Sequence, residues 1–199
     1  MNKLKLGFLA SHGGSNMQSI IDACKTGKIN AVPVVVISNN SNSMALQRAK
    51  NEGIPTYHIS QKKYPDSDSL DGAIIDVLVK YEVDLVILAG YMKKLGKKVI
   101  QRFNGRILNI HPALLPKYGG EGMHGRFVHE AVINNKEKES GCTVHIVDEK
   151  YDHGRILGQV KVPVFPEDTP ETLAERVLEQ EHKLYPDIIG KIASGEIII

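Results

Sequence analysis

The sequence predicts an α/β protein with a doubly wound, mostly parallel sheet, an antiparallel pair of strands near the carboxyl terminus and a long final helix. In the first half, short segments that are almost wholly apolar alternate with segments whose apolar residues recur at helical spacing. Strands this apolar are typical of parallel sheets covered by helices on both faces. Later, two strand-like segments are joined by a connection too short to hold a helix, which indicates antiparallel pairing at the sheet edge.

The first half contains five predicted strands separated by four predicted helices. The first strand is nearly all apolar, and the helix after it repeats Met17 and Ile21 at helical spacing, while the second strand is rich in valine. The same alternation continues, so we expect right-handed crossovers between parallel strands. The predicted strands are 4–10, 31–38, 56–59, 84–89 and 106–110, and the predicted helices are 16–26, 43–52, 69–81 and 96–103.

The second half changes character after a predicted helix at 126–134. Strands are predicted at 143–147 and 156–164, joined by a polar connection. A final helix is predicted at 170–194, with Thr169 as its N-cap and a proline at its first position. Pro186 lies inside that range and is expected to break or kink the helix.

Composition favours one ordinary globular domain over residues 1–199. Of the 199 residues, 42% are hydrophobic and 24% are charged, which needs no disulfide or structural metal for stability. No apolar segment approaches the roughly 20 residues that span a bilayer, so no membrane role is expected. The net charge of +2 and the scattered basic residues argue weakly against nucleic-acid binding, but not against anionic small molecules.

The two cysteines, Cys24 and Cys142, lie far apart and have no spacing typical of a zinc site or a redox pair. Two buried thiols in a reducing compartment are the better interpretation. We therefore expect a cytoplasmic protein without a bound metal.

The segment from Asn109 to Pro116 carries the most informative chemistry. In an extended chain, Asn109 and His111 point to the same side while Ile110 points to the other. An amide donor and a titratable ring held together can stabilise an oxyanion and move a proton. Pro112 and Pro116 restrict the backbone that follows. The alternative is a strand end that merely solvates its last polar side chains.

A second motif, residues 11–16, lies between the first strand and the first helix. Free amides at a helix N-terminus bind anions, and glycines such as Gly14 let the backbone approach a ligand. Ser15 and Asn16 could cap the helix and add side-chain donors. Because neither the G-x-G-x-x-G nor the Walker pattern is present, a phosphomonoester fits better than a dinucleotide or nucleoside triphosphate. The alternative is a simple turn with an N-cap.

With these motifs in place, the chain resembles the folate-dependent phosphoribosylglycinamide formyltransferases from residue 6 to about residue 186. The order and spacing of the matching segments make the resemblance specific, although each segment alone would be weak. The segments are Gly14-Ser15-Asn16, Leu88 to Met92, Leu108 to Pro112 with Leu114-Leu115-Pro116, Gly141 to His145, Asp152-x-Gly154 and Gln180-Glu181-His182.

This resemblance implies transfer of the formyl group of 10-formyltetrahydrofolate to the amine of glycinamide ribonucleotide, in purine biosynthesis and without a metal. It also implies Asn109, His111 and Asp152 as the catalytic set. Asn109 would donate to the oxyanion, His111 would stabilise the same charge when protonated, and Asp152 would raise the pKa of His111 and receive the amine proton. From residues alone, Asp152 could equally belong to an ordinary Asx turn.

The resemblance implies substrate contacts as well. Glu181 would contact the glycinamide end, although the sequence alone favours a solvated helix residue. Because two adjacent cations follow a strand end, we add the hypothesis that Lys93 or Lys94 meets the glutamate carboxylates of the folate. The implied phosphate-binding residues are Gly14, Ser15 and Asn16, and the implied folate-binding residues are Met92, Lys93, Leu95, Asn109 and His145.

Two departures from the family pattern stand out. His12 occupies a position where a glycine is common, so it either adds a cation near the phosphate or points outward. The glycine-rich loop from Gly119 to Arg126 replaces a His-x-His loop.

Three other functions stay open. A formyltetrahydrofolate deformylase would be expected to carry an extra N-terminal domain, and a methionyl-tRNA formyltransferase a basic C-terminal one. A noncatalytic module that binds a phosphorylated metabolite or a folate would keep the pockets without turnover. The sequence does not decide whether the chain forms a homodimer.

Overall fold

The computed structural model describes residues 3–199, so Met1 and Asn2 of the predicted 1–199 domain lie outside the described residues. The described strands are β1 (Leu4–Ala10), β2 (Ala31–Ser38), β3 (Thr56–His58), β4 (Leu85–Leu88), β5 (Ile107–His111), β6 (Glu139–Ile146) and β7 (Ile156–Pro163). The described helices are α1 (Ser15–Lys25), α2 (Met44–Asn51), α3 (Ser67–Lys80), α4 (Lys97–Arg102), α5 (Arg126–Asn134) and α6 (Pro170–Ser194).

All seven described strands form one sheet in the order β3-β2-β1-β4-β5-β6-β7. Strands β1 to β5 run parallel, whereas β6 pairs antiparallel with β5 and β7 pairs antiparallel with β6. The predicted fold class is confirmed, including the antiparallel pair and the long final helix. The strand order reverses between β1 and β4, and in open α/β sheets ligands bind in the crevice at that point, outside the carboxyl ends of the strands.

Two apolar layers cover the faces of the sheet. On one face Phe8 of β1 joins a cluster that includes residues of α1 and α6, and on the other face Leu9 packs in a cluster with residues of α3 and α4. The hydroxyl of the fully buried Tyr185 lies 3.2 Å from the carbonyl oxygen of Leu88 and 2.9 Å from that of Leu108. Helix α6 is thereby tied to β4 and β5 just below their carboxyl ends.

Helix α6 runs continuously through Pro186, so the predicted break was wrong. Proline removes one backbone hydrogen bond, but Pro186 and the adjacent Tyr185 are buried against the sheet, and that packing holds the helix together. Strand β6 also begins four residues earlier than predicted, at Glu139. Among residues 3–199 no helix combines the length and apolar character needed to cross a membrane.

Candidate active site

Strand β5 places Asn109 and His111 on one side at its carboxyl end, as the sequence predicted. Register with β6 sets His145 opposite Asn109, and the two side chains meet with 3.1 Å between Asn109 Nδ2 and His145 Nε2. Ile110 is buried in the apolar cluster on the other side. The alternation of the strand therefore separates the polar pair from the core.

Asp152 reaches this strand from the loop between β6 and β7. Its Oδ2 lies 3.5 Å from His111 Nδ1, and its Oδ1 lies 3.4 Å from His145 Nε2. The amide of Gly120, in the glycine-rich loop, donates to the same carboxylate at 2.9 Å. The three residues predicted to be catalytic thus converge, together with His145, in a reaction centre made of Asn109, His111, His145 and Asp152.

Burial and charge set the protonation of this centre. Burial raises the pKa of Asp152, but the hydrogen bond with His145, the charge of His111 and the Gly120 amide outweigh it, so the pKa lies below its ordinary value. Burial lowers the pKa of His111 more than Asp152 and the carbonyl of Tyr118 raise it. The expectation that the carboxylate would leave the pKa of His111 raised was wrong, because the ring is only 3% exposed.

The other ring nitrogen of His111 fixes its tautomer. Nε2 lies 2.7 Å from the carbonyl oxygen of Tyr118, a residue in the left-handed region with a φ of 56°. A carbonyl oxygen only accepts, so Nε2 carries the proton of the neutral ring. The unprotonated Nδ1 then faces Asp152, and a proton gained there forms an ion pair with the carboxylate.

One buried hydroxyl fixes the loop that follows His111. Thr143 Oγ1 donates to the carbonyl of Ala113 at 2.6 Å and accepts from the amide of Leu115 at 3.1 Å. The side-chain amide of Gln159, on β7, donates to the same hydroxyl at 2.9 Å. Sequence reasoning missed Thr143 and Gln159, because nothing in their local pattern shows which loop they contact.

The phosphate loop departs from its predicted capping. Gly14, not Ser15 or Asn16, occupies the N-cap of α1 with a φ of 70°, and no side chain caps the helix. A Cβ at Gly14 would lie 2.8 Å from that of Ala45, so the close approach of α2 requires glycine here. The uncapped first turn leaves its amides available to an anion.

A cation that the sequence did not reveal lies beside this loop. Arg48 of α2 donates from Nε to the carbonyl of Gly13 at 3.0 Å. Burial and then the charge of Arg48 lower the pKa of His182, whose Nε2 is buried and has no hydrogen-bond partner. His12 is exposed and contributes its carbonyl to the amide of Ala45 at 2.9 Å.

Glu181 is buried, so the interpretation as a solvated helix residue was wrong. Its Oε2 accepts from Asn16 Nδ2 at 2.6 Å. Burial raises the pKa of its carboxyl more than this hydrogen bond lowers it. Both residues line a cavity of about 500 Å³, which we call the α5–α6 cavity. Its lining also includes Gly90, Met92, Ile110, Pro112, Arg126, His129, Pro170, Glu171, Ala174 and Leu178.

Two more cavities are lined by residues of the reaction centre itself. A narrow cavity of about 100 Å³ contains Leu95, Asn109 and His145, and a mouth cavity of about 420 Å³ contains Asn109, His111 and the glycine-rich loop. Lys93 lines both, whereas Met92 lines the mouth cavity and the α5–α6 cavity. Asp152 lines the narrow and mouth cavities, and the mouth cavity shares Ile110 and Pro112 with the α5–α6 cavity, so ligands from two directions could meet beside the reaction centre.

No group of three or more His, Cys, Asp or Glu side chains within residues 3–199 is arranged to hold a metal ion. A carboxylate, an amide and two imidazoles in this arrangement can polarise a carbonyl oxygen and transfer a proton.

The chain is similar to several known proteins. A family model described as formyl transferase matches residues 4–189. The chain is 45% identical to a phosphoribosylglycinamide formyltransferase of Haemophilus influenzae, over 97% of this chain and 89% of that protein. It is also 45% identical to the chloroplastic phosphoribosylglycinamide formyltransferase of Arabidopsis thaliana over 97% of its own length, but spans only 66% of that relative.

A solved structure agrees with these sequence matches. The crystal structure of glycinamide ribonucleotide transformylase 1 from Symbiobacterium toebii superposes with a TM-score of 0.93 at 38% identity. The match covers 100% of this chain and 91% of that one. The likeness therefore extends over the sheet, the helices and the loops that form the site.

Proposed function

Because the chain belongs to the formyl transferase family, we propose that it transfers the formyl group of 10-formyltetrahydrofolate to the amine of glycinamide ribonucleotide. The products are formylglycinamide ribonucleotide and tetrahydrofolate, and the reaction is a step of purine biosynthesis. The observation that carries the proposal is the meeting of Asn109, His111 and Asp152 at the mouth cavity, which adjoins the α5–α6 cavity. Both partners are small molecules, and we assign the reaction to the cytoplasm.

The chemical step begins with attack of the neutral amine on the formyl carbon. A C–N bond forms while the carbonyl electron pair moves to oxygen, and Asn109 Nδ2 donates to the resulting oxyanion. The attacking nitrogen loses a proton to Nδ1 of His111, the ring nitrogen that is free in the neutral tautomer. Asp152 stabilises the imidazolium that results.

Collapse of the tetrahedral intermediate completes the transfer. The oxyanion electron pair restores the carbonyl, the bond between the formyl carbon and N10 of the folate breaks, and N10 takes the proton from His111. Atoms and charge balance without any further reactant. The low pKa of Asp152 keeps its carboxylate ionised throughout, so the same pair returns to its starting state.

The ribonucleotide fits the α5–α6 cavity. Its phosphate would bind the amides of Gly14, Ser15 and Asn16, where the uncapped end of α1 and the charge of Arg48 favour an anion. Glu181 would accept from a polar group at the glycinamide end, since it is buried in the same cavity. The amine would then reach Asn109 past Ile110 and Pro112.

The folate approaches from the opposite side. We assign its formyl-bearing end to the narrow and mouth cavities, in contact with Met92, Lys93, Leu95, Asn109 and His145. The exposed ammonium groups of Lys93 and Lys94 lie at the rim of these cavities, where they can meet the glutamate carboxylates. Asn109 and His145 belong to both the folate contact and the reaction centre.

One assay tests the proposed function. The purified chain is incubated anaerobically with glycinamide ribonucleotide and 10-formyltetrahydrofolate that carries a ¹³C formyl group, and the products are identified by mass spectrometry. We expect label in formylglycinamide ribonucleotide and an equal amount of tetrahydrofolate. Label in formate would indicate a deformylase, label on methionyl-tRNA in a parallel reaction would indicate the tRNA enzyme, and no turnover would indicate a binding module.

A further inference from the structure

The α5–α6 cavity contains a polar side chain that the reaction does not use. His129, on α5, is only 4% exposed, and its imidazole lines this otherwise mainly apolar cavity together with Asn16 and Glu181. Its Nδ1 is fully buried and has no hydrogen-bond partner. Buried polar groups without a partner are rare in folded proteins, so its presence calls for an explanation.

The surroundings determine the state of this imidazole. Burial, followed by the charge of His111, lowers the pKa of His129 to about 4, so the ring is neutral at neutral pH. A neutral imidazole carries one proton. Because an unpaired buried N–H is rarer than an unpaired buried acceptor, the proton belongs on Nε2 rather than on the enclosed Nδ1.

Nε2 is the ring nitrogen that a ligand can reach. It has no hydrogen-bond partner among residues 3–199, and unlike Nδ1 it is not among the fully buried unpaired atoms. His129 therefore presents one neutral N–H donor to the cavity. Glu181, buried in the same cavity, presents an acceptor.

The chemistry of the ribonucleotide decides what this donor meets. The phosphate binds at α1, where backbone amides and Arg48 supply positive potential. The amine reacts beside Asn109 and must itself stay neutral. The sugar lies between these two ends, and its hydroxyl oxygens are acceptors that suit an uncharged donor.

We propose that His129 is a sugar-binding residue, which donates from Nε2 to a ribose hydroxyl of the ribonucleotide; this rests on the proposed function. The hydrogen bond fixes the ribose within the cavity and so aims the amine at the reaction centre. It acts on the ribonucleotide alone, because His129 lines neither the narrow cavity nor the mouth cavity.

The test pairs His129→Leu with substrates that lack one hydroxyl. The value of kcat/KM is measured for glycinamide ribonucleotide and for its 2′-deoxy and 3′-deoxy forms, in the parent, in His129→Leu and in His129→Gln. Asn134→Ala, an exposed change at the end of the same helix, is the matched control. Circular dichroism and thermal unfolding confirm that each variant is folded.

We expect one deoxy substrate to lose about 3- to 10-fold with the parent, as does His129→Leu with the normal substrate. When His129→Leu acts on that deoxy substrate, the loss in kcat/KM should be smaller than the product of the two separate losses. The KM for the folate should stay within twofold of the parent value. His129→Gln, which keeps an N–H donor, should retain part of the discrimination and serves as the test if the leucine variant does not fold.

Losses that multiply, or a loss that appears equally in the KM of the folate, would overturn the role of His129. A parent that forms no formylglycinamide ribonucleotide would instead overturn the proposed function. The two failures are therefore distinguishable in the same set of measurements.

Discussion

The reaction centre differs from the neighbouring binding region, which consists of the phosphate loop and the α5–α6 cavity, in whether buried polar atoms have hydrogen-bond partners. In the reaction centre the side chains contact one another or the backbone, as Asp152 does through both carboxylate oxygens. Around the phosphate loop and the α5–α6 cavity, three buried polar atoms have no partner within residues 3–199. They are Asn16 Oδ1, His129 Nδ1 and His182 Nε2.

This difference reflects what each region has to do. Groups that move protons or stabilise developing charge must already be oriented when the substrate arrives, because reorganising them would add to the barrier. Side chains that recognise a ligand can lack partners in the free protein, since the ligand supplies a partner for the atoms it reaches. The buried unpaired atoms cost stability in the free protein.

Breaking the reaction centre should have the largest effect. His111→Ala removes the proton acceptor and leaves Asp152 without one of its two imidazole neighbours, so we expect kcat to fall by about 10² to 10³ with a smaller change in the KM of either substrate. Steady-state kinetics under saturating folate measure this. A variant that transfers formyl groups at the parental rate would contradict the mechanism.

Replacing Glu181 with glutamine should weaken binding of the ribonucleotide but stabilise the folded protein at neutral pH. Glu181→Gln keeps an oxygen that can accept from Asn16 but removes a buried charge, so the KM for the ribonucleotide should rise about 10-fold. Burial raises the folded-state pKa of Glu181, so the parent loses stability as pH rises through the unfolded-state pKa of about 4.3 towards the folded-state value.

Thermal unfolding at pH 7 and below pH 4 checks the stability half of this prediction. The variant should have the higher Tm at pH 7, with the gain disappearing below pH 4, where the parent carboxyl is protonated in both states. A Tm lowered at pH 7 would show that the charge of Glu181 stabilises the free protein.

Low pH should destabilise the folded protein through protonation of His129. The unfolded chain protonates this histidine near pH 6.5, whereas the folded protein resists protonation until about pH 4. The free energy of unfolding of the parent should therefore decline as the pH falls from about 6.5 to about 4, and that of His129→Gln should decline less. Urea unfolding at pH 7, 6 and 5 measures the difference, and identical slopes in both proteins would refute it.

Changes at the cavity rim should have the smallest effect. Replacing Lys93 and Lys94 together with alanine should weaken folate binding about threefold, more for a polyglutamate tail and less at high salt, because exposed charges are screened. Lys28→Ala, an exposed lysine just before β2 at the amino end of the strands, is the control. Equal affinity with and without the tail would remove the proposed contact.

The sequence predicted whatever depends on local pattern. Apolar periodicity located the strands and helices, and the alternation of β5 placed Asn109 and His111 on one side. The sequence did not predict contacts between residues that are far apart along the chain. Arg48 beside the phosphate loop and Thr143 beneath the loop after His111 are set by how α2 and β6 pack, which no local signal records. The pKa of His111 was misjudged because burial, the larger effect, depends on the whole fold.

Asp152 has a backbone φ of 52°, a conformation in which asparagine, aspartate and glycine are tolerated far better than other residues. The backbone at this position therefore favours a short polar side chain, and aspartate is the one of these three residues that also supplies a negative charge. Asp152→Glu keeps the charge but should for this reason destabilise the folded protein more than Asp152→Asn, which keeps the short side chain that this backbone favours.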